Sequence, residues 1–187
     1  MGARAVFFDR DGVVNRDSGY VGPIEDFEFL PGVKEALAAI RHQGFLLILC
    51  TNQSGIARGR YRMSDFLSTT AWMQQVLALH GAAFDGVYCC PHHPKAEIER
   101  YRVDCDCRKP RGGMFKRACA DFSIDPALSW AVGDRARDLE GAREAGVRQF
   151  ALVAPQEGEE ERALGVPCYP DLSSFASSLS KACYEAT

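Results

Sequence analysis

What the chain lacks bounds it before any motif is read. No apolar run approaches the ~20 residues that a membrane-spanning helix needs, so no membrane partner is expected. There is no basic excess: 22 lysines and arginines stand against 25 acidic residues, a net charge of −3. A chain built to grip nucleic acid would carry the opposite sign, so none is expected as a partner. No internal repeat, low-complexity tract or linker divides the 187 residues, which predicts a single domain over 1–187 with a full core. The N-terminus runs straight into an apolar strand pattern with no leader before it, and the expectation is a cytoplasmic protein. Eight cysteines in that setting read as thiols kept for packing or metal rather than as disulfides.

What is present is an alternation of two periods. Residues 5–8 are uniformly apolar, as in a strand covered on both faces of a parallel sheet. Further strands are predicted over 45–50, 84–89, 129–132 and 149–153. Between them Val33, Ala36, Leu37 and Ile40 repeat at the helical spacing, with Gly44 as the stop. A second helix is predicted from a Ser64 cap to about His80, with Phe66, Met73, Val76 and Leu77 inward. Others follow over 113–121 and 138–145, with a solvated loop at 156–162 and a last helix over 171–182 carrying Leu172, Phe175 and Leu179. Strand, helix, strand in right-handed units gives a doubly wound, Rossmann-like α/β parallel sheet. No insertion after the first strand, or between Thr51 and Lys109, is long enough for a large cap domain.

The predicted strands end in polar groups. The first ends in Asp9-Arg10-Asp11-Gly12, the second in Thr51-Asn52-Gln53-Ser54-Gly55, and the fourth in Gly133-Asp134, with Asp138 beyond. In an open α/β sheet these ends share one edge, where ligands bind. Carboxylates two residues apart repel unless a cation joins them, and Mg²⁺ is the oxygen-loving guest. Lys109 adds an ammonium from the loop before the helix at 113. Metal plus lysine makes a site for a phosphate dianion.

In order and spacing, Asp9-Arg10-Asp11-Gly12, Thr51-Asn52, Lys109 and Gly133-Asp134 resemble the four motifs of the haloacid dehalogenase superfamily. Further stretches, Gly19-Tyr20-Val21, residues 53–59 and Cys107-Arg108-Lys109-Pro110, narrow the resemblance to its heptose-bisphosphate phosphatases, with histidinol-phosphate phosphatases next. The resemblance covers nearly the whole chain. It implies Asp9 as nucleophile, Asp11 as general acid and then base, and Thr51, Asn52 and Lys109 on the phosphoryl oxygens. It implies Mg²⁺ on Asp9, the backbone carbonyl of Asp11, and Asp134. Asp17, Ser18, Gly19, Tyr20, Gln53, Ser54, Arg108 and Arg135 would line the substrate pocket. The implied substrate is a small sugar phosphate, heptose 1,7-bisphosphate losing its C7 phosphate on the way to lipopolysaccharide heptose; separately, the chain is expected to be a monomer. Asp138 is expected to cap its helix. Two departures are Arg135, where relatives carry Lys, and Val13-Val14, where a Thr is usual.

The irregular stretch 90–107 holds a C-x-H and a C-x-C pair, a Cys₃His set suited to tetrahedral zinc. Cys89 and His93 are adjacent alternatives; the resemblance places the ligands at Cys90, His92, Cys105 and Cys107. Such a site is closed, so the zinc would stabilise the loop rather than react. Cys50, Cys119, Cys168 and Cys183 are expected to pack, Trp72 and Trp130 to lie in the core, and His42 and His80 to sit at helix C-termini. A zinc-stabilised binding module without turnover is the competing class. The full charged set argues against it, and hydrolysis of para-nitrophenyl phosphate separates the two.

Overall fold

Ala5–Phe8 forms strand β1 with all four side chains buried, because its alternate residues feed two different cores. Val6 and Phe8 pack with Val33, Leu37, Met73 and Phe175 on one side. Ala5 and Phe7 pack with Met114, Phe115, Leu139 and Val147 on the other. This is a computed structural model; it describes residues 2–163 and 165–185, and the side chains of these except at 161 and 180–185.

Around β1 the chain lays down β2 (Leu46–Asn52), β3 (Gly86–Cys90), β4 (Trp130–Gly133), β5 (Gln149–Val153) and β6 (Cys168–Tyr169). The sheet runs β3-β2-β1-β4-β5-β6 and every pairing is parallel. The helices are α1 (Val33–His42), α2 (Ser54–Ala57), α3 (Met63–Ala78), α4 (Gly113–Phe122), α5 (Ala136–Glu144), α6 (Glu159–Arg162) and α7 (Leu172–Glu185). Helices α1, α3 and α7 supply one core and α4 and α5 the other, as their buried residues divide. The winding reverses between β1 and β4, and a crevice opens at the C-terminal ends of those two strands.

The predicted strands and helices are all present, with local differences. Helix α3 is capped not by Ser64 but by Asp65, whose carboxylate accepts the Arg62 N–H at 2.7 Å, and Val76 is only half-buried. Cys168 is exposed rather than packed, because β6 is a two-residue edge strand. The stretch 156–162 contains the short α6. Cys183 lies outside the described side chains. Trp72 packs against Phe27 and Phe29, and Trp130 against Phe175.

Candidate active site

The Asp9 N–H still donates to Val132 O at 3.0 Å, so the sheet itself fixes the first residue after β1. Asp134 follows β4 directly. Gly12 turns the intervening loop with a φ of +89°, and a Cβ there would sit 2.5 Å from Asp134 Oδ2. Only glycine satisfies both demands. Lys109 enters from the far side, held by its own backbone: its N–H donates to Asn52 Oδ1 (3.0 Å) and its carbonyl accepts from Asn52 Nδ2 (3.1 Å). Its Nζ lies 2.6 Å from Asp9 Oδ1 and 2.8 Å from Asp138 Oδ1.

Carboxylate oxygens of Asp9, Asp134 and Asp138 all fall within 4.8 Å of one another, and Asp134, Asp138 and Lys109 are buried. Burial, with Asp138 and Asp11 beside it and despite Lys109, pushes the Asp9 carboxyl up to about 6. Burial and the neighbouring Asp138 and Asp9 push Asp134 up to about 7, against the pull of Arg135 and Lys109. Burial alone would lower the Lys109 ammonium, but Asp138 and Asp9 hold it well above the usual lysine value. The acids exceed the ammonium, and the excess is what a hard divalent cation would relieve. The donor set therefore fits Mg²⁺.

Asp11 stands apart from that cluster. Its Oδ1 accepts from Arg10 Nε (3.1 Å), Arg10 Nη2 (2.8 Å) and Asn15 Nδ2 (3.0 Å), and its Oδ2 from Gln53 Nε2 (3.0 Å). Arg10 is itself buried between the Phe27 and Phe66 rings. A cavity of about 330 Å³ opens over Asp9, Asp11 and Lys109 and is walled by Asp17, Gly19, Tyr20, Ser54 and Arg135. Arg135 Nη2 donates to Asp17 Oδ2 at 3.2 Å, which ties that wall to α5.

Cys90, His92, Cys105 and Cys107 come together at the end of β3. The Cys90–Cys105 and Cys107–Cys105 sulfurs are 3.5 and 3.2 Å apart, and His92 Nδ1 is 3.9 and 3.6 Å from the Cys90 and Cys107 sulfurs. A tetrahedron with ~2.3 Å metal–sulfur bonds has edges of ~3.8 Å, so the set fits one ion. Cys89 instead packs beside Ile56, Tyr61 and Phe66, and His93 Nε2 lies 3.2 Å from Arg58.

Other sequence candidates are placed differently. Thr51 and Gln53 are buried, and Ser18 is exposed in its loop. Arg108 lines a neighbouring recess with Pro94 and Asp104, and its Nη1 donates to His92 O at 3.2 Å. Asp138 does cap α5, accepting the Arg135 N–H at 3.2 Å, and it also grips Lys109. Sequence reasoning missed Gln156, whose Nε2 donates to Asp134 Oδ2 at 3.0 Å, as well as Arg137 and Tyr61 on the cavity wall. The position of Gln156 just beyond β5, on the same sheet edge, was the available signal for it.

A family model described as HAD-hydrolase-like matches residues 106–182. The chain is 47% identical over 178 residues to the D-glycero-beta-D-manno-heptose-1,7-bisphosphate 7-phosphatase of Haemophilus ducreyi, covering 92% of this chain and 97% of that one. With the enzyme of the same name from Vibrio cholerae it shares 51% over 153 residues, 82% of each chain. The crystal structure of D,D-heptose 1,7-bisphosphate phosphatase from B. bronchiseptica, complexed with magnesium and phosphate, superposes with a TM-score of 0.84 at 33% identity, covering 96% of this chain and 99% of that one. The chain belongs to the D-glycero-beta-D-manno-heptose-1,7-bisphosphate 7-phosphatase family of the haloacid dehalogenase superfamily.

Proposed function

We propose that the chain is a magnesium-dependent phosphomonoesterase that removes the C7 phosphate of D-glycero-beta-D-manno-heptose 1,7-bisphosphate and leaves the 1-phosphate. The observation that carries the reading is the buried Asp9–Lys109–Asp138 array, with Lys109 Nζ 2.6 and 2.8 Å from the two acids and an Asp134 carboxylate oxygen within 4.8 Å of those of Asp9 and Asp138. Phosphate monoesters hydrolyse very slowly unaided, so such a site must supply position and charge.

In this reading Asp9 attacks phosphorus as the bond to the sugar oxygen breaks, giving an aspartyl-phosphate. Asp11 gives its proton to that oxygen and then takes one from the water that releases phosphate, because a sugar alkoxide is a poor leaving group. Lys109, the Thr51 hydroxyl and Asn52 bind the phosphoryl oxygens, and Asp138 keeps the ammonium of Lys109 aimed at Asp9. Asp9, the Asp11 carbonyl and Asp134 would hold Mg²⁺, which when bound neutralises charge on the transferring group. Asp17, Ser18, Gly19, Tyr20, Ser54 and Arg135 would serve the sugar and its second phosphate, with Arg108 reaching in from the neighbouring recess, while the buried Gln53 serves the site indirectly, through Asp11. Zinc on Cys90, His92, Cys105 and Cys107 would be structural and would shape the approach to Arg108 and Lys109. The working unit is a cytoplasmic monomer of one domain.

The test is a substrate panel with purified protein and Mg²⁺. Heptose 1,7-bisphosphate should exceed histidinol phosphate in kcat/KM by well over tenfold. Histidinol phosphate as the better substrate would overturn the assignment.

A further inference from the structure

Tyr61 takes no part in the chemistry above, yet its surroundings are built around it. Its side chain is buried with Ile56 and Phe66. Its ring occupies space that two glycines leave open: a Cβ on Gly22 would lie 2.2 Å from Tyr61 Cγ, and one on Gly55 would lie 2.2 Å from Cε1. Neither glycine is among those with positive φ, so room for the ring, not backbone freedom, is what they provide. The phenol hydroxyl donates to Gln53 Oε1. From the other end of that amide, Nε2 donates to Asp11 Oδ2 at 3.0 Å and to Thr51 Oγ1 at 2.8 Å.

We propose that Tyr61 is a positioning residue: it fixes the Gln53 amide so that its NH₂ group holds the Asp11 carboxylate and the Thr51 hydroxyl in place. The inference rests on the reading of Asp11 as the acid that protonates the leaving oxygen. Gln53 is buried, and a reversed amide would turn its carbonyl oxygen against the Asp11 carboxylate. Burial pushes the Tyr61 phenol above its ordinary value, so it remains an O–H donor and selects the same orientation from the opposite side. With Arg10 and Asn15 on Oδ1, Asp11 is then held at both oxygens. Proton delivery to a single leaving atom demands that degree of fixation.

The test compares two esters, because nitrophenolate leaves without a proton and a sugar alkoxide does not. Native enzyme, Asp11→Asn, Tyr61→Phe and Gly22→Ala are assayed with Mg²⁺ on para-nitrophenyl phosphate and on heptose 1,7-bisphosphate. Tyr61→Phe keeps the ring and should lower kcat on the sugar about tenfold, and on the aryl ester less than about twofold. Gly22→Ala, which displaces the ring, should show the same preference. Equal losses on both esters, or no loss, would overturn the proposal. If Asp11→Asn is selective and Tyr61→Phe is not, the Tyr61 assignment alone falls. If Asp11→Asn shows no preference, the acid assignment fails and takes this proposal with it. A second readout needs no turnover. In the metal-free protein the Gln53 side-chain amide protons, identified by their loss in Gln53→Glu, should exchange about tenfold faster in Tyr61→Phe, since a buried hydrogen bond is lost. Unchanged protection counts against it.

Discussion

Two clusters of groups that could hold a metal ion lie along the same edge of the sheet, and they are built in opposite ways. The carboxylate cluster hangs on the ends of β1 and β4 and the start of α5. Its members are buried, and Lys109 already supplies one positive charge within 2.8 Å of two of them. The sulfur cluster has one foot on the sheet, Cys90 at the end of β3. His92, Cys105 and Cys107 sit on a loop where Ala96 is the one fully buried apolar side chain between residues 91 and 108. The sheet preforms the first site; in the second an ion would take the place of a core. In the proposed function the first would react and the second would hold a shape.

Substitutions should separate the two. Asp9→Asn keeps the shape but cannot form an acyl-phosphate, so phosphate release should fall at least about a thousandfold. Its Tm should stay within about 4 °C of native, the equivalent of ~1 kcal/mol. Residual turnover above that level would show that Asp9 is not the nucleophile. Asp138→Asn retains an acceptor for the Arg135 N–H but removes a charge from Lys109, and kcat should fall roughly 10–100-fold, as for other groups that orient a metal site. A variant with native kcat would reduce Asp138 to a helix cap. Cys105→Ser should act the other way. Structural zinc sites bind with apparent energies of ~10–16 kcal/mol, so unfolding free energy should drop by at least about 3 kcal/mol while the folded fraction keeps most of its kcat. Elemental analysis of native protein, prepared without chelator, should find about one zinc per chain. Protein without zinc, or a variant as stable as native, would remove the contrast.

The smallest expected effect is a dependence on pH. Without a cation Asp9 and Asp134 keep their protons up to about 6 and about 7 instead of 3.8. Their folded-state values are raised, so the stability tied to these protons is complete below the ordinary carboxylate value and is lost as pH rises through 6 and 7. Mg²⁺ replaces those protons, so it should raise Tm more at about pH 8 than at about pH 5. An equal rise at both would contradict the shifted acids.

The same contrast explains what could be read from the sequence. Strand β1 and the four buried residues of α1 are local patterns, and both were legible because burial on a helix or strand repeats at a fixed period. The acids at the strand ends were legible because the fold class alone sends them to one edge. Helices α2 and α6 and strand β6 were not, since four residues or two carry no period. Nor was the second role of Asp138, or the chain from Tyr61 through Gln53 to Asp11. These depend on which side chains meet after the loops close, and Lys109 reaches its acids from a backbone that Asn52 clamps. A buried guanidinium such as Arg10, stacked between Phe27 and Phe66, likewise looks in sequence like any surface arginine.

The most direct test of phosphoryl removal at the carboxylate cluster is a ³¹P spectrum of heptose 1,7-bisphosphate during turnover with Mg²⁺. The C7 resonance should disappear as inorganic phosphate grows, while the anomeric phosphate persists. Loss of the anomeric phosphate first, or a spectrum unchanged by active protein, would contradict it.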